Sequence, residues 1–370
     1  MTDVEKDVSS SGPSSHSPHD SDQPPLQRQV SNAESLASID RPPSVDSITH
    51  CPLPASKVYH PFSPHVLALL FPASIFGVLA RLGLQALVGY DGRAIFPLAW
   101  IQGAGCLVMG IGLGMKEPFG QFYGPLYTAM TTGFCGSLTT FSGWQVDVFE
   151  SWLNVNRDHR DWFRDVIDGL SKTLFTLAIS IAALQFGVHL TTMIRKRIPA
   201  FQLSPPSRSA RNVLTSLAVL TYAAAYPAYF RLPASFRHQA TAALLFCVPG
   251  TLTRYLLSIK LNPTLKLFPL GTFTANMFGT ALLGTFHVLQ STHVPPSANG
   301  CAVLQGLGDG YCGCLTTVST FAAEVVGLED WRAWVYVVVS WVGGQSLLLA
   351  VVGGATWAGR VGKQATCLYE

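Results

Sequence analysis

Nine separate stretches of this 370-residue chain are apolar enough to enter a bilayer and long enough to cross it as helices, which takes about 20 residues each. They lie near 66–88, 98–115, 123–149, 171–194, 212–230, 238–258, 268–290, 301–323 and 332–356. A backbone inside lipid must satisfy its own hydrogen bonds, so spans of this length specify an all-α membrane protein. Hydrophobic residues make up 48% of the chain and charged residues 12%, about half the share in a soluble domain. A water-soluble enzyme is excluded on that ground. An odd number of spans places the two termini on opposite sides of the membrane.

The charge is unevenly distributed. Residues 1–50 carry eight acidic and three basic groups, twelve Ser and six Pro, and no Phe, Tyr or Trp. The segment 1–57 is therefore expected to be a disordered polar tail. It lacks a basic start followed by an apolar run, so no cleavable signal peptide is expected and the first span serves for targeting. The remaining residues hold 21 basic and 13 acidic groups, a net of +8. These are scattered over short loops, a pattern that fits a lipid environment and not a nucleic-acid partner. Five of the eight Cys (Cys106, Cys135, Cys247, Cys312 and Cys314) sit in apolar runs, so no disulfide framework is expected. Cys312-Gly-Cys314 has no His or carboxylate beside it to complete a metal site.

The chain repeats itself. Gly77-Val-Leu-Ala-Arg81 matches Gly250-Thr-Leu-Thr-Arg254 at an offset of 173. Gly133-Phe-Cys-Gly-Ser-Leu-Thr-Thr-Phe-Ser142 matches Gly310-Tyr-Cys-Gly-Cys-Leu-Thr-Thr-Val-Ser319 at an offset of 177, with seven of ten positions identical. Two four-span units, 58–194 and 238–358, are thus joined by a segment, 195–237, that contributes one more span, and a short tail, 359–370, follows. Four spans return the chain to its starting side. The single linking helix therefore inverts the second unit and yields two inverted four-helix repeats. The basic cluster Arg195, Lys196, Arg197, Arg208 and Arg211 in one loop assigns the N-terminal side to the cytoplasm.

The third and eighth spans carry Gly and Thr at bilayer depth. Gly in a helix interior costs about 1 kcal/mol relative to Ala, and its clustering with Thr-Thr suggests broken helices crossing at the centre. The other reading is a close-packed crossing of small residues, with the hydroxyls bonded back to their own helices. Crossed breaks would bring backbone carbonyls of both repeats together. Oxygen donors with no carboxylate among them suit a hard monovalent cation, and a structural Na+ is expected.

These motifs, with Gly271-Thr-Phe-Thr-Ala-Asn276-Met-Phe-Gly279, resemble the CrcB/Fluc fluoride channel family in its duplicated eukaryotic form, over about residues 65–356. The resemblance implies a passive channel exporting fluoride across the plasma membrane, built as a monomeric fused pseudo-dimer with no obligate protein partner and no enzymatic activity. It implies a Na+ site at the carbonyls of Gly136, Thr139, Gly313 and Thr316. It also implies a pore lined by Asn276, Thr272, Tyr336 and Ser340, by Phe141 and Phe321, and by the break residues Thr140, Ser142, Thr317 and Ser319. In the first repeat the aligned track reads Gln102, Leu98, Thr176 and Ser180, and the aligned aromatic positions are Trp144 and, in the second repeat, Val318. One working pore and one degenerate one are therefore expected.

Such donors suit fluoride, which accepts hydrogen bonds and donates none; amides, hydroxyls and ring edges replace its water without trapping it on a full charge. Arg81 and Arg254 read equally as structural or as vestibular. The competing class is a secondary transporter of small organic cations, which calls for a membrane-embedded carboxylate. Asp147, Glu150 and Glu324 are the residues placed to provide one.

Overall fold

A computed structural model describes residues 59–90, 92, 94–154, 161–197, 204–232, 240–265, 267–328, 331–362 and 365–367. The expected polar tail 1–57 lies outside the described residues. Helices α1 (Pro64–Gly89), α2 (Pro97–Gly114), α3 (Lys116–Thr128), α4 (Phe141–Leu153) and α5 (Trp162–Arg197) form the first repeat. Helix α6 (Arg208–Arg231) follows. The second repeat holds α7 (Ala242–Leu261), α8 (Leu270–Gln290), α9 (Ala298–Gly306), α10 (Val318–Gly327) and α11 (Trp331–Leu348).

Six of these helices (α1, α2, α5, α6, α7 and α11 with its continuation) are long and apolar enough to span a membrane. Large apolar side chains such as Phe76, Leu174 and Leu220 face outward at about 60% exposure, as a helix surface in contact with lipid requires. The three other expected crossings are the more polar α8 and two interrupted segments. In each of these, a helix passes through a π-turn (Ala129–Cys135 after α3, Leu307–Cys312 after α9) and one α-turn, then breaks before α4 or α10. At the breaks Thr139 and Thr140 have ψ of 152° and 119°, and Thr316 and Thr317 have 150° and 135°; the backbone is extended at all four. The broken-helix reading therefore holds over the continuous crossing.

Close approach at glycine sets the packing. A methyl group on Gly110 of α2 would overlap the Leu184 carbonyl oxygen of α5, and one on Gly187 would overlap Leu107 O, so these two backbones nearly touch. Equivalent residues of the two repeats make equivalent contacts. Gly77 meets Phe134 O and Gly250 meets Tyr311 O, while Gly105 meets the Thr139 methyl and Gly279 that of Thr316. The main core gathers around Phe141, Trp144, Phe321, Tyr336, Met109 and Leu184, at the junction of the repeats.

The structure departs from the sequence expectation on cysteine. Cys301 and Cys367 are joined in a disulfide, closing a separation of 66 residues. Cys301 opens α9 at the edge of an apolar run, and sequence spacing offers no sign of a partner so far away. The C-terminal segment also folds back: Val361 pairs with Thr292, and Thr366 N donates to Gln290 O at 2.8 Å.

Candidate functional site

Breaking a helix in a bilayer orphans peptide groups, and each of the two breaks is repaired in the same way. In a continuous helix the Thr140 N–H would close onto the Gly136 carbonyl. Here it donates to Gln102 Oε1 at 3.1 Å, while Gln102 Nε2 donates to Thr140 O at 2.6 Å. At the second break Thr317 N donates to Asn276 Oδ1 at 2.9 Å and Asn276 Nδ2 to Thr317 O at 3.3 Å. Asn276 and its counterpart Gln102, both fully buried, are therefore amide clamps on the broken backbone, whatever else they do.

The first threonine of each break caps a helix of the other repeat. Thr139 Oγ1 accepts from Val318 N at 3.2 Å and Ser319 N at 3.1 Å, the N-terminus of α10, and donates to its own Cys135 O. Thr316 Oγ1 accepts from Ser142 N at 3.1 Å, at the start of α4, and donates to Cys312 O. The second threonines cap locally, Thr140 on Gly143 N and Thr317 on Thr320 N. Thr139, Thr317 and Ser319 form one hydroxyl cluster, and Thr316, Thr140 and Ser142 form the matching one.

Arg81 and Arg254 are buried at this centre, not at helix ends. Arg81 donates from Nη1 to Gly313 O at 2.7 Å and from Nη2 to Asp309 O; Arg254 donates from Nε to Cys314 O at 2.9 Å and from Nη2 to Thr132 O at 2.6 Å. Arg81 thus reaches from the first repeat onto the second break, and Arg254 from the second repeat onto the first. A side chain at Gly136 or Gly313 would collide with the Arg254 or Arg81 guanidinium respectively. Of the carbonyls expected to hold Na+, those of Gly136, Thr139, Gly313 and Thr316, the Gly313 carbonyl already accepts from the Arg81 guanidinium. Among the described residues no group of three or more His, Cys, Asp or Glu gathers that could hold a metal.

The predicted pore aromatics meet. Phe141 and Phe321 lie with ring centroids 5.5 Å apart, and Phe321 lies 5.0 Å from Tyr336. Val318 joins the same core, and Trp144 packs on Phe141 at 5.5 Å. Ser340 is fully buried and its hydroxyl has no hydrogen-bond partner among the described residues. Thr272 and Tyr336 converge on a residue that the pore reading leaves out. Glu324 of α10 is 1% exposed, accepts from Thr272 Oγ1 at 2.5 Å and Tyr336 OH at 2.7 Å, and receives Asn262 Nδ2 at 3.4 Å. Its motif position, one turn past Thr320, was the available signal, but a lone carboxylate near a span end does not announce its partners.

The aligned groups of the first repeat form a different environment. Leu98 supplies no donor, and Asp147, which aligns with Glu324, pairs with Lys172 at 3.0 Å, itself 3.4 Å from Asp168. A cavity of about 400 Å³ opens on this side, lined by Arg81, Leu98, Thr140, Asp147, Glu150 and Asp309 among others. Three carboxylates thus face one arginine there.

Fold and site define a multi-pass helical membrane protein in which a helical unit occurs twice and meets at paired helix breaks. The family described as CrcB-like protein, Camphor Resistance (CrcB), matches the chain at residues 68–188 and again at 241–355, and the chain belongs to it. It is 33% identical over 353 residues to fluoride export protein 1 of Neurospora crassa, covering 79% of this chain and 67% of that one. It is 30% identical over 332 residues to fluoride export protein 1 of Candida albicans, covering 83% of each. A fluoride-specific ion channel FluC of Salmonella arizonae is 41% identical over 81 residues, which is 21% of this chain and 60% of that one. No solved structure matches.

Proposed function

We propose that this chain is a passive fluoride channel that exports fluoride from the cytoplasm across the plasma membrane. The two repeats are inverted relative to one another by the linking helix α6, nine spans in all, and one fused chain forms the whole pseudo-dimer. Family membership and the names of its relatives support fluoride as the ion. One observation supports the site: rings of both repeats are in contact, Phe141 to Phe321 to Tyr336, and the Thr272 and Tyr336 hydroxyls meet at one buried carboxylate.

Fluoride moves along this track by exchanging water for hydroxyl donors. Glu324 keeps the Thr272 and Tyr336 hydroxyls oriented as donors, and an entering fluoride accepts the same hydrogens in its place. The first-repeat pathway is not conductive. Its track lacks the Thr272 donor, and Asp147, at the position of Glu324, is tied to Lys172 and orients no hydroxyl donors. The Gly136, Thr139, Gly313 and Thr316 carbonyls would hold a structural Na+, whose charge would bias the centre toward anions.

Purified protein in liposomes loaded with potassium fluoride tests the proposal. Valinomycin should trigger fluoride release to an external electrode, and Tyr336→Phe should suppress it. No release from the folded wild-type protein, or uptake of organic cations coupled to protons, overturns it.

A further inference from the structure

The C-terminal segment is bound at more than one point. Gly362 N donates to Ser291 O at 3.0 Å, Thr366 Oγ1 to Thr292 O at 2.7 Å, and His293 Nε2 lies 3.1 Å from Gly359 O. Cys301 and Cys367 sit beyond these bonds with Cα atoms 5.7 Å apart, inside the range a disulfide needs without backbone movement. The other cysteines of the described residues, Cys106, Cys135, Cys247, Cys312 and Cys314, are buried free thiols, so this pair stands apart in both place and geometry.

The segment is also wired to the centre. Gln290, whose carbonyl takes Thr366 N, donates from Nε2 to Gln305 Oε1 at 3.1 Å. Gln305 donates to Asp309 Oδ2 at 2.6 Å, and the Asp309 carbonyl receives Arg81. A strap held at residues 290–293 therefore supports, through two glutamines, the wall of the cavity that Arg81 and Asp309 line.

We propose that Cys301 and Cys367 are a disulfide modification site that staples residues 359–362 and 365–367 onto the start of α9, and that this face of the protein lies in an oxidising, extracytoplasmic compartment. The cytosol keeps thiols reduced, so a bond at these positions persists only on the other side of the membrane. Two exchange steps form it. One cysteine thiolate attacks the disulfide of an oxidised dithiol–disulfide oxidoreductase and expels one of its thiolates. The second cysteine then attacks the mixed disulfide, so the two protein thiols lose two electrons and two protons and the oxidant departs as a dithiol. With the nine-span reading, on which this clause rests, an outward C-terminus puts the N-terminus and the basic loop 195–211 in the cytoplasm.

Non-reduced tryptic peptides of the full-length protein should include a species joining Cys301 to Cys367 that splits on reduction. A C-terminal epitope tag should be readable on intact cells without permeabilisation. Reduction, or Cys367→Ser, should speed trypsin cleavage after Arg360 several-fold, while Cys301→Ser/Cys367→Ser retains fluoride efflux. Free thiols at both positions, or a tag reached only after permeabilisation, overturns the proposal. A linked peptide in a protein that releases no fluoride removes the channel reading and leaves the strap in place.

Discussion

Replacing Asn276 by Ala removes both bonds that hold the second break, the 2.9 Å acceptor for Thr317 N and the 3.3 Å donor to Thr317 O. The site is fully buried, so water cannot take over. Leaving a buried peptide group without a partner costs about 1–3 kcal/mol, and two such groups, one of them a carbonyl with a second lone pair, bring the loss to about 2–4 kcal/mol. Gln102→Ala removes the matching bonds of 3.1 Å and 2.6 Å at the first break, so the same loss is expected there. The two variants separate on transport. Only Asn276 belongs to the complete donor track, and losing donors worth about 1.5–3 kcal/mol to a charged ion lowers flux about 10- to 100-fold. Thermal melts in detergent read the stability, and electrode-recorded efflux read well below both melting points gives the flux. An unchanged melt in Gln102→Ala refutes the clamp, and equal flux losses refute the single pore.

Other perturbations test separate parts of the structure. Tyr336→Phe removes the 2.7 Å bond to Glu324 and one donor to the ion, so efflux should fall at least about tenfold while the protein loses roughly 1.5–3 kcal/mol in a melt. Gly110→Ala drives a methyl group into the Leu184 carbonyl, a backbone atom that no rotamer change relieves, and should cost about 1–3 kcal/mol. Gly83→Ala, where nothing lies within 4 Å of the added carbon, should be neutral or gain up to about 1 kcal/mol in the same assay. Exchanging Na+ for N-methyl-glucamine during purification should lower the melting temperature and fluoride efflux together. Identical melts in both salts refute the structural cation.

Hydropathy and internal repetition made the membrane class, the duplication and the two breaks legible from the chain alone. Hydrophobicity and local Gly-Thr chemistry act over a few residues, and a lipid solvent leaves few alternatives to a helix. Only the resemblance to the fluoride-channel family placed Phe141, Phe321, Thr272 and Tyr336 in one set; the repeat comparison showed no more than that the aligned copies differ there. What lay beyond it depends on contacts between residues far apart in sequence. Thr139 and Thr316 accept from backbone N–H groups 179 and 174 positions away along the chain. Arg81 finds its carbonyl partner across 232 residues, and Cys301 its sulfur across 66. By its place in the sequence Glu324 suits the carboxylate of a different kind of transporter, and folding surrounds it with Thr272, Tyr336 and Asn262. A polar group in a membrane must find a partner, but only tertiary packing decides which one it finds, since the distance between candidates is set by where whole helices cross.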